Sequence, residues 1–181
     1  MRKTKKQSAR VLNAQEIKKS LERFCREMFT RHEDSAQLAF IGIRTRGIHI
    51  ARRLGAIMKK LGDREIPVGE MDITLYRDDL NTLLPGGKVD NTRIPFDITN
   101  KTVILVDDVL NTGRTVRAAV DHLIDLGRPR AIHLAVLIDR GGRELPIAAE
   151  YVGRKISLPA GGDVKVRLKE VDKVDEVVIT R

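Results

Sequence analysis

The feature that most constrains the fold is a run of 13 residues, 103–115, which reads VILVDDVLNTGRT. Its first four residues are aliphatic, the composition of a strand buried on both faces of a parallel sheet. Asp107 and Asp108 follow where such a strand ends, and a short Asn-Thr-Gly loop then leads into an apolar pattern of helical period. The run therefore predicts a strand–loop–helix unit whose loop faces a ligand crevice at the carboxyl edge of the sheet.

The residue types in this loop fit a phosphorylated sugar. Gly113 lets the backbone approach closely, the Thr112 and Thr115 hydroxyls and the first helical amides can donate to a phosphate, and Arg114 adds positive charge. Ionised carboxylates only accept hydrogen bonds, so the acidic pair fits vicinal hydroxyls, a bound Mg²⁺, or both. Together these features indicate a ribose 5-phosphate site. The structural alternative is an ordinary crossover with capping carboxylates, while a nucleoside-triphosphatase P-loop is excluded because no G-x-x-x-x-G-K-[ST] occurs.

Length and composition describe an ordinary globular chain. Its 181 residues are enough for one domain with a sizeable core. The single cysteine excludes an intrachain disulfide and favours a cytoplasmic location, and no apolar run is long enough to span a membrane. The net charge of +9 attracts polyanions such as nucleic acid. We expect residues 1–12 to form a basic, disordered tail, which either only solubilises the chain or adds to polyanion binding, before a single domain at 13–181.

Three amphipathic helices are predicted. Asn13 with Glu16 three residues later indicates the amino-terminal cap of the first helix, which should end near Arg31. The second helix follows the loop at 44–47, and the third follows the 13-residue run. Their inward faces are expected to consist of Ile17, Leu21, Phe24, Cys25 and Met28, then Ile48, Ala51, Leu54, Ile57 and Met58, then Val116, Ala119, Val120, Leu123 and Ile124.

Loops with functional composition follow several of the predicted strands. The strand at 38–43 ends in the basic loop 44–47, which leads into a helix. A basic loop at a helix amino terminus indicates a second anion site. Strand-like sequence at 68–76 leads into a long polar, turn-rich segment, which is typical of a lid or a binding arm. The strand at 132–138 ends in a third polar loop. Short strands are then expected at 151–156, 164–168 and 177–180.

The 13-residue run closely resembles the phosphoribosyl-pyrophosphate (PRPP) signature of the type I phosphoribosyltransferases. Residues 72–79 and 139–146 further resemble stretches of the bacterial pyrimidine operon regulatory proteins, and the resemblance runs from about Gln15 to near the carboxyl terminus. It implies an α/β fold in which helices flank a central parallel sheet, with a small hood and a flexible β-arm loop. That family joins uracil phosphoribosyltransferase activity to RNA-binding transcription attenuation. The implied ligands are PRPP with Mg²⁺, uracil, UMP and pyrimidine leader RNA, and the implied assembly is a homodimer or a higher homo-oligomer.

The resemblance also assigns roles to residues. Asp107 and Asp108 would bind the ribose hydroxyls, and Mg²⁺ would be carried by PRPP, near these two carboxylates, rather than by direct protein ligands. Arg46 would stabilise the pyrophosphate, and Arg77 in a closing lid would add charge and exclude water. PRPP and nucleotide contacts would come from Thr45, Arg46, Gly47, Asp107, Asp108, Val109, Leu110, Asn111, Thr112, Gly113, Arg114 and Thr115. Base contacts would come from Ile138, Asp139, Arg140 and Val164, and RNA contacts from Arg23, Arg26 and Arg143.

Two departures from related sequences bear on specificity. In purine-salvage relatives an Asp commonly stands at the position of Asn111 and can exchange a proton with the purine N7, whereas Asn cannot act as an acid or base. Asn111 therefore weighs against hypoxanthine or guanine and is compatible with uracil. Family members often carry His where Arg26 and Gly142 stand, which bears on inherited RNA specificity. Two alternatives stay open: an RNA-binding nucleotide sensor with vestigial catalysis, and a phosphoribosyltransferase for another base with no RNA role.

Overall fold

The computed structural model describes residues 8–32, 37–62, 65–73, 91–158 and 162–180. No helix in these ranges is both long and apolar enough to cross a membrane. The elements in chain order are β1 Ser8–Asn13, α1 Ala14–Arg31, β2 Leu38–Ile43, α2 Arg46–Gly62, β3 Val68–Met71, β4 Thr102–Leu110, α3 Arg114–Leu126, β5 Ala131–Asp139, β6 Tyr151–Lys155, β7 Asp163–Arg167, α4 Lys169–Asp172 and β8 Glu176–Thr180.

Five strands form a parallel sheet in the order β3-β2-β4-β5-β6, with β4 at its centre. All six residues of β2 and the first six of β4 are buried, because helices cover both faces of the sheet. In register, Leu105 of β4 lies between Ile41 of β2 and Leu134 of β5. The predicted α/β fold with a central parallel sheet is thereby confirmed.

Alternation along the central strand divides the interior into two apolar cores. Ile104 and Val106 pack in the core formed with α1 and α2, whereas Val103 and Leu105 pack in the core formed with α3. The same alternation continues to the end of β4. Asp107 and Asp108 therefore lie on opposite sides of the strand, and Asp108 lies on the side of α2.

A smaller antiparallel sheet, β1-β8-β7, forms a hood beside the parallel sheet. Val164, Val166 and Leu168 join the α1/α2 core, which explains how the hood is anchored. The sequence placed residues 8–12 in a disordered tail, and this boundary is wrong because those residues belong to β1. They pair with β8, and Leu12 is only 2% exposed within the core. Residues 1–7 lie outside the described part of the chain.

Helix α1 was predicted closely, while two other predictions need correction. Asn13 accepts a bond from the Glu16 amide and Glu16 accepts one from the Asn13 amide, which closes the expected capping box before a helix that ends at Arg31. In α3, Ile124 is 60% exposed rather than inward, because it lies to one side of the stripe that contacts the sheet. Strand β3 stops at Met71, so 72–73 are not strand, and 74–76 lie outside the described residues.

Candidate active site

Three loops meet at the carboxyl edge of the parallel sheet because β2, β4 and β5 are neighbours. The loop after β5 lies directly on the loop after β4. The Arg140 amide donates to the Leu110 carbonyl at 3.0 Å, and the amides of Glu144 and Leu145 donate to the Thr112 carbonyl at 3.0 and 3.2 Å. The predicted phosphate loop and the predicted base-binding loop are therefore one connected surface.

The loop after β2 touches the end of β4 through Gly47. A Cβ atom at this position would lie 2.3 Å from the Val106 carbonyl oxygen and 3.2 Å from the Asp107 Cα atom. Only glycine fits so close to a neighbouring backbone. The peptide bond between Arg44 and Thr45 in this loop is cis. The contact at Gly47 places the start of α2, and with it Arg46, against the acidic pair.

The predicted phosphate loop leads into α3 through Gly113, whose φ of +93° is a left-handed conformation that glycine adopts readily. The Thr112 hydroxyl accepts a bond from the Arg114 amide at 3.3 Å, and Arg114 itself pairs with Glu144 at 2.6 Å. The amino end of α3 therefore opens at this loop, where backbone amides and the helix dipole favour an anion.

A cleft of about 450 Å³ lies between the sheet edge and the hood. It brings together three predicted site residues, Arg46, Asp108 and Val164, from three separate elements. The hood also lines it with Lys165, Arg167 and Asp172, which sequence reasoning missed. Their involvement depends on how β7 and α4 pack against α2, and no local motif in the sequence signals that packing.

Burial and ion pairing shift the pKa values of the charged groups in the cleft. Burial raises the pKa of the Asp108 carboxyl, and a hydrogen bond with Asp107 and the nearby Arg46 charge act against that rise. Arg46 donates from Nε and Nη2 to the two oxygens of Asp172 at 3.1 and 2.9 Å. These bonds raise the pKa of Arg46 and lower that of Asp172. Asp107 is 7% exposed, and its Oδ1 accepts from the Asp108 amide at 2.8 Å.

The loop after β5 is held by Arg143. Its guanidinium pairs with Asp139 at 2.7 Å and donates to the carbonyls of Asn111 at 2.8 Å and Ile147 at 2.9 Å. Burial acts to raise the pKa of Asp139, but Arg143 and the Gly141 amide outweigh it and hold the pKa below its usual value. Arg143 thus ties the two loops together, and its predicted contact with RNA stays a prediction.

The other predicted site residues have the following surroundings. Ile138 is fully buried within β5, so only its backbone can reach a ligand. Arg140 pairs with Asp163 of β7 at 3.1 Å. On α1, Arg23 bonds to Glu27 at 2.9 Å and to the Val152 carbonyl at 2.7 Å, while Arg26 is exposed on the same helix. Arg77 lies outside the described residues.

Comparison of the chain with known proteins shows the family to which it belongs. Residues 7–171 match the family model described as a phosphoribosyl transferase domain. The chain is 49% identical to the bifunctional protein PyrR of Pelotomaculum thermopropionicum over 96% of both chains. It is 50% identical to PyrR of Thermus aquaticus over 93% of both, and 51% identical to that of Listeria welshimeri over 93% of this chain and 94% of the relative.

Solved structures show the same fold at much lower sequence identity. A hypoxanthine phosphoribosyltransferase of Trypanosoma cruzi superposes with a TM-score of 0.76 at 16% identity, covering 100% of this chain and 95% of that one. The hypoxanthine phosphoribosyltransferase of Staphylococcus aureus gives a TM-score of 0.70 at 19% identity, covering 93% and 90%. At that level of identity the likeness shows the fold alone. The chain, with its strand–loop–helix unit at the edge of a parallel sheet, belongs to the PyrR family of phosphoribosyltransferase-domain proteins.

Proposed function

We propose that the chain is a uracil phosphoribosyltransferase, which converts uracil and PRPP to UMP and pyrophosphate. The main support is the cleft in which Arg46, Asp108 and Val164 meet beside the phosphate loop. Family membership and the resemblance of residues 103–115 to a PRPP signature agree with this activity.

Two anion sites would divide the phosphates of PRPP between them. The 5-phosphate would lie at the amino end of α3, on the Thr112, Gly113 and Thr115 backbone and hydroxyl donors. The pyrophosphate would lie against the loop at 44–47. When the bond from C1 to oxygen breaks, positive charge develops on the ribose and negative charge on pyrophosphate. Arg46 would stabilise that negative charge, so catalysis would rest mainly on positioning and electrostatics.

The acidic pair would hold the ribose hydroxyls, and the Mg²⁺ that PRPP carries would lie close to it. Carboxylate oxygens suit this hard cation, and Asp108 offers one within the cleft. In the described ranges no three His, Cys, Asp or Glu side chains group as metal ligands, so substrate oxygens would complete the coordination. Once bound, Mg²⁺ would offset phosphate charge.

Uracil would be read mainly by backbone groups of residues 138–140, with Val164 packing near the base. Asn111 supports uracil over a purine because its carboxamide cannot exchange a proton. The carboxamide lies against the third loop, where a Cβ at Gly142 would come within 2.9 Å of the Asn111 Oδ1 atom. Asn111 is therefore well placed to influence which base is accepted.

A labelled-base assay tests the activity. The protein is incubated with PRPP, Mg²⁺ and labelled uracil, and in parallel with labelled hypoxanthine or guanine. We expect UMP from uracil and little product from the purines. Asp107→Ala/Asp108→Ala is the control. Uracil turnover no greater than that of this control would refute the activity, and faster turnover of a purine would refute the choice of base.

The same chain is proposed to bind pyrimidine leader RNA in a UMP-dependent way, so as to attenuate transcription. The net charge of +9 and the basic residues Arg23 and Arg26 on α1 favour a polyanion partner, and the relatives are named as bifunctional proteins. Filter binding with and without UMP is the test. Sequence-indifferent binding that UMP does not change would leave only general electrostatic attraction.

Assembly and location complete the proposal. A homodimer or a higher homo-oligomer is expected from the family, and exposed Ile124 and Leu126 at the end of α3 offer apolar surface for one. Light scattering at several concentrations would test the assembly, and a monomer throughout would contradict it. The buried, unpaired Cys25 is in keeping with a cytoplasmic location.

A further inference from the structure

Two arginines of α2 hold the turn of the hood that contains α4. Arg46 and Arg53 are seven residues apart, two helical turns, and therefore project from the same face of the helix. Arg46 donates to both carboxylate oxygens of Asp172. Arg53 donates to both oxygens of Glu170 at 2.9 and 2.6 Å and to one oxygen of Asp175 at 2.7 Å. The hood is thus fastened at two points, of which only the first faces the cleft.

The bond at the cleft uses the edge of the guanidinium that best binds an anion. Nε and Nη2 form the planar fork that matches a carboxylate or a phosphate, and Asp172 occupies it in the described structure. The two side chains remain 31% and 22% exposed, so solvent and ligands can reach the pair. Asp172 also accepts the Leu168 amide at 3.0 Å and would keep this bond if Arg46 left. Releasing Arg46 therefore leaves no buried, unpaired charge.

We propose that Asp172 is a positioning residue that competes with pyrophosphate for Arg46 and so limits the affinity of the active site for PRPP and its leaving group. The proposal rests on the proposed function, because it assumes that Arg46 binds pyrophosphate. Each ligand that binds the Nε and Nη2 edge of Arg46 must first displace Asp172. The apparent affinity of that ligand is its intrinsic affinity multiplied by the fraction of molecules in which Arg46 is free of Asp172.

The rest of the cleft supports competition rather than assistance. Among the charged residues that line the cleft, Lys165 and Arg167 would attract a polyphosphate as Arg46 does, whereas Asp108 and Asp172 would repel it. The Arg53 contacts keep the hood attached without Arg46, so the Asp172 bond is not needed to hold it. Weak binding of the leaving group also suits turnover, because pyrophosphate must leave before the next PRPP binds.

Titration calorimetry with inorganic pyrophosphate and Mg²⁺ on the full chain tests the proposal. Asp172→Asn removes the charge and keeps the shape, and we expect pyrophosphate to bind about two- to fivefold more tightly, the range set by a partly exposed ion pair. The KM for PRPP should fall by a similar factor. Asp172→Ser, whose hydroxyl can still accept the Leu168 amide, should act in the same direction. Unchanged or weaker pyrophosphate binding in a folded variant overturns the proposal.

Two controls separate the possible causes. Glu170→Gln removes an equal charge from the same turn but from the Arg53 side, and it should leave pyrophosphate affinity unchanged. A gain equal to that of Asp172→Asn would mean that net charge, not the Arg46 bond, is responsible. Arg46→Gln should weaken pyrophosphate binding and abolish most of the gain from Asp172→Asn in the double variant. If Arg46→Gln leaves pyrophosphate affinity unchanged, Arg46 does not bind pyrophosphate and that part of the proposed function is wrong. This result differs from the one that would refute only the competition by Asp172.

Discussion

At the scale of single residues, the site depends on how closely two backbones can approach. Gly47 touches the Val106 carbonyl, and Gly42 touches the start of α2, where a Cβ would lie 2.3 Å from the Ile48 Cα atom. These contacts involve backbone, which cannot move aside as a side chain can. Arg46 can therefore lie close to the acidic pair because Gly42 and Gly47 have no side chain.

We predict that Gly47→Ala damages both stability and substrate binding. The added methyl group would push α2 away from β4, at a cost of about 1–3 kcal/mol in the free energy of unfolding, as for overpacked cores. The KM for PRPP should rise because Arg46 moves with the helix. Gly55→Ala is the control, since its Cβ would lie 3.1 Å from a Val68 side-chain atom, and the nearest backbone atom that it would meet, the Ile66 carbonyl oxygen, is 4.0 Å away. Denaturant unfolding and steady-state kinetics measure the two effects, and equal behaviour of both variants would contradict the argument.

A second prediction concerns Cys25, whose side chain is fully buried in the α1/α2 core. Burial raises the pKa of its thiol to about 12, so almost no thiolate forms near neutral pH. A thiol reagent should label the native protein only as fast as the protein opens, and should label the denatured chain at once. Rapid labelling of the folded protein would show that the core around Cys25 is open to solvent.

At the scale of elements, the sequence predicted the parallel sheet because its strands are buried on both faces and therefore continuously apolar. It predicted the motif at 103–115 because strand, loop and helix are adjacent in the chain. It missed β1 because residues 8–13 carry a weak apolar pattern and owe their strand to pairing with β8 at the other end of the chain. Asp172 was missed for the same reason, since its partner Arg46 is far away in sequence.

The tie between the loops after β4 and β5 gives an element-scale prediction. Arg143→Gln would leave the Asn111 and Ile147 carbonyls and Asp139 without their shared guanidinium donor. We expect a loss of about 1–3 kcal/mol in stability and a higher KM for both uracil and PRPP, since both loops shift together. Arg117→Gln is the matched control because that arginine pairs with Asp121 on the exposed face of α3. Catalysis unchanged in Arg143→Gln would show that the loops keep their positions without the tie.

At the scale of the whole molecule, ion pairs join the hood to the rest of the chain. Arg46 and Arg53 reach it from α2, and Arg140 reaches Asp163 of β7. A net charge of +9 tends to repel the compact state, and these pairs place carboxylates where positive charge is dense. The attachment of the hood should therefore respond to acid.

We predict that the protein loses stability in acid. The carboxyl pKa values of Asp139, Glu170 and Asp172 are lowered in the folded chain by their arginine partners. Such groups stabilise the fold above their usual values of 3.8 and 4.5, and this contribution is lost as the pH falls through the lowered values. Thermal unfolding between pH 3 and 7 should show the fall. Glu170→Gln/Asp172→Asn should be less stable at pH 7 but lose less on acidification, and an equally steep loss would contradict the assignment.

The pairing of β1 with β8 also determines how the fold bears a mechanical load. Ser8, the first residue of β1, lies opposite Thr180, the last residue of β8. The strand ends nearest the two chain termini therefore lie at the same end of the β1–β8 ladder. Tension applied across the two termini would open this ladder like a zipper, breaking its rungs one after another instead of all at once. The hood would peel away first and at low force, while the parallel sheet beneath it stayed intact.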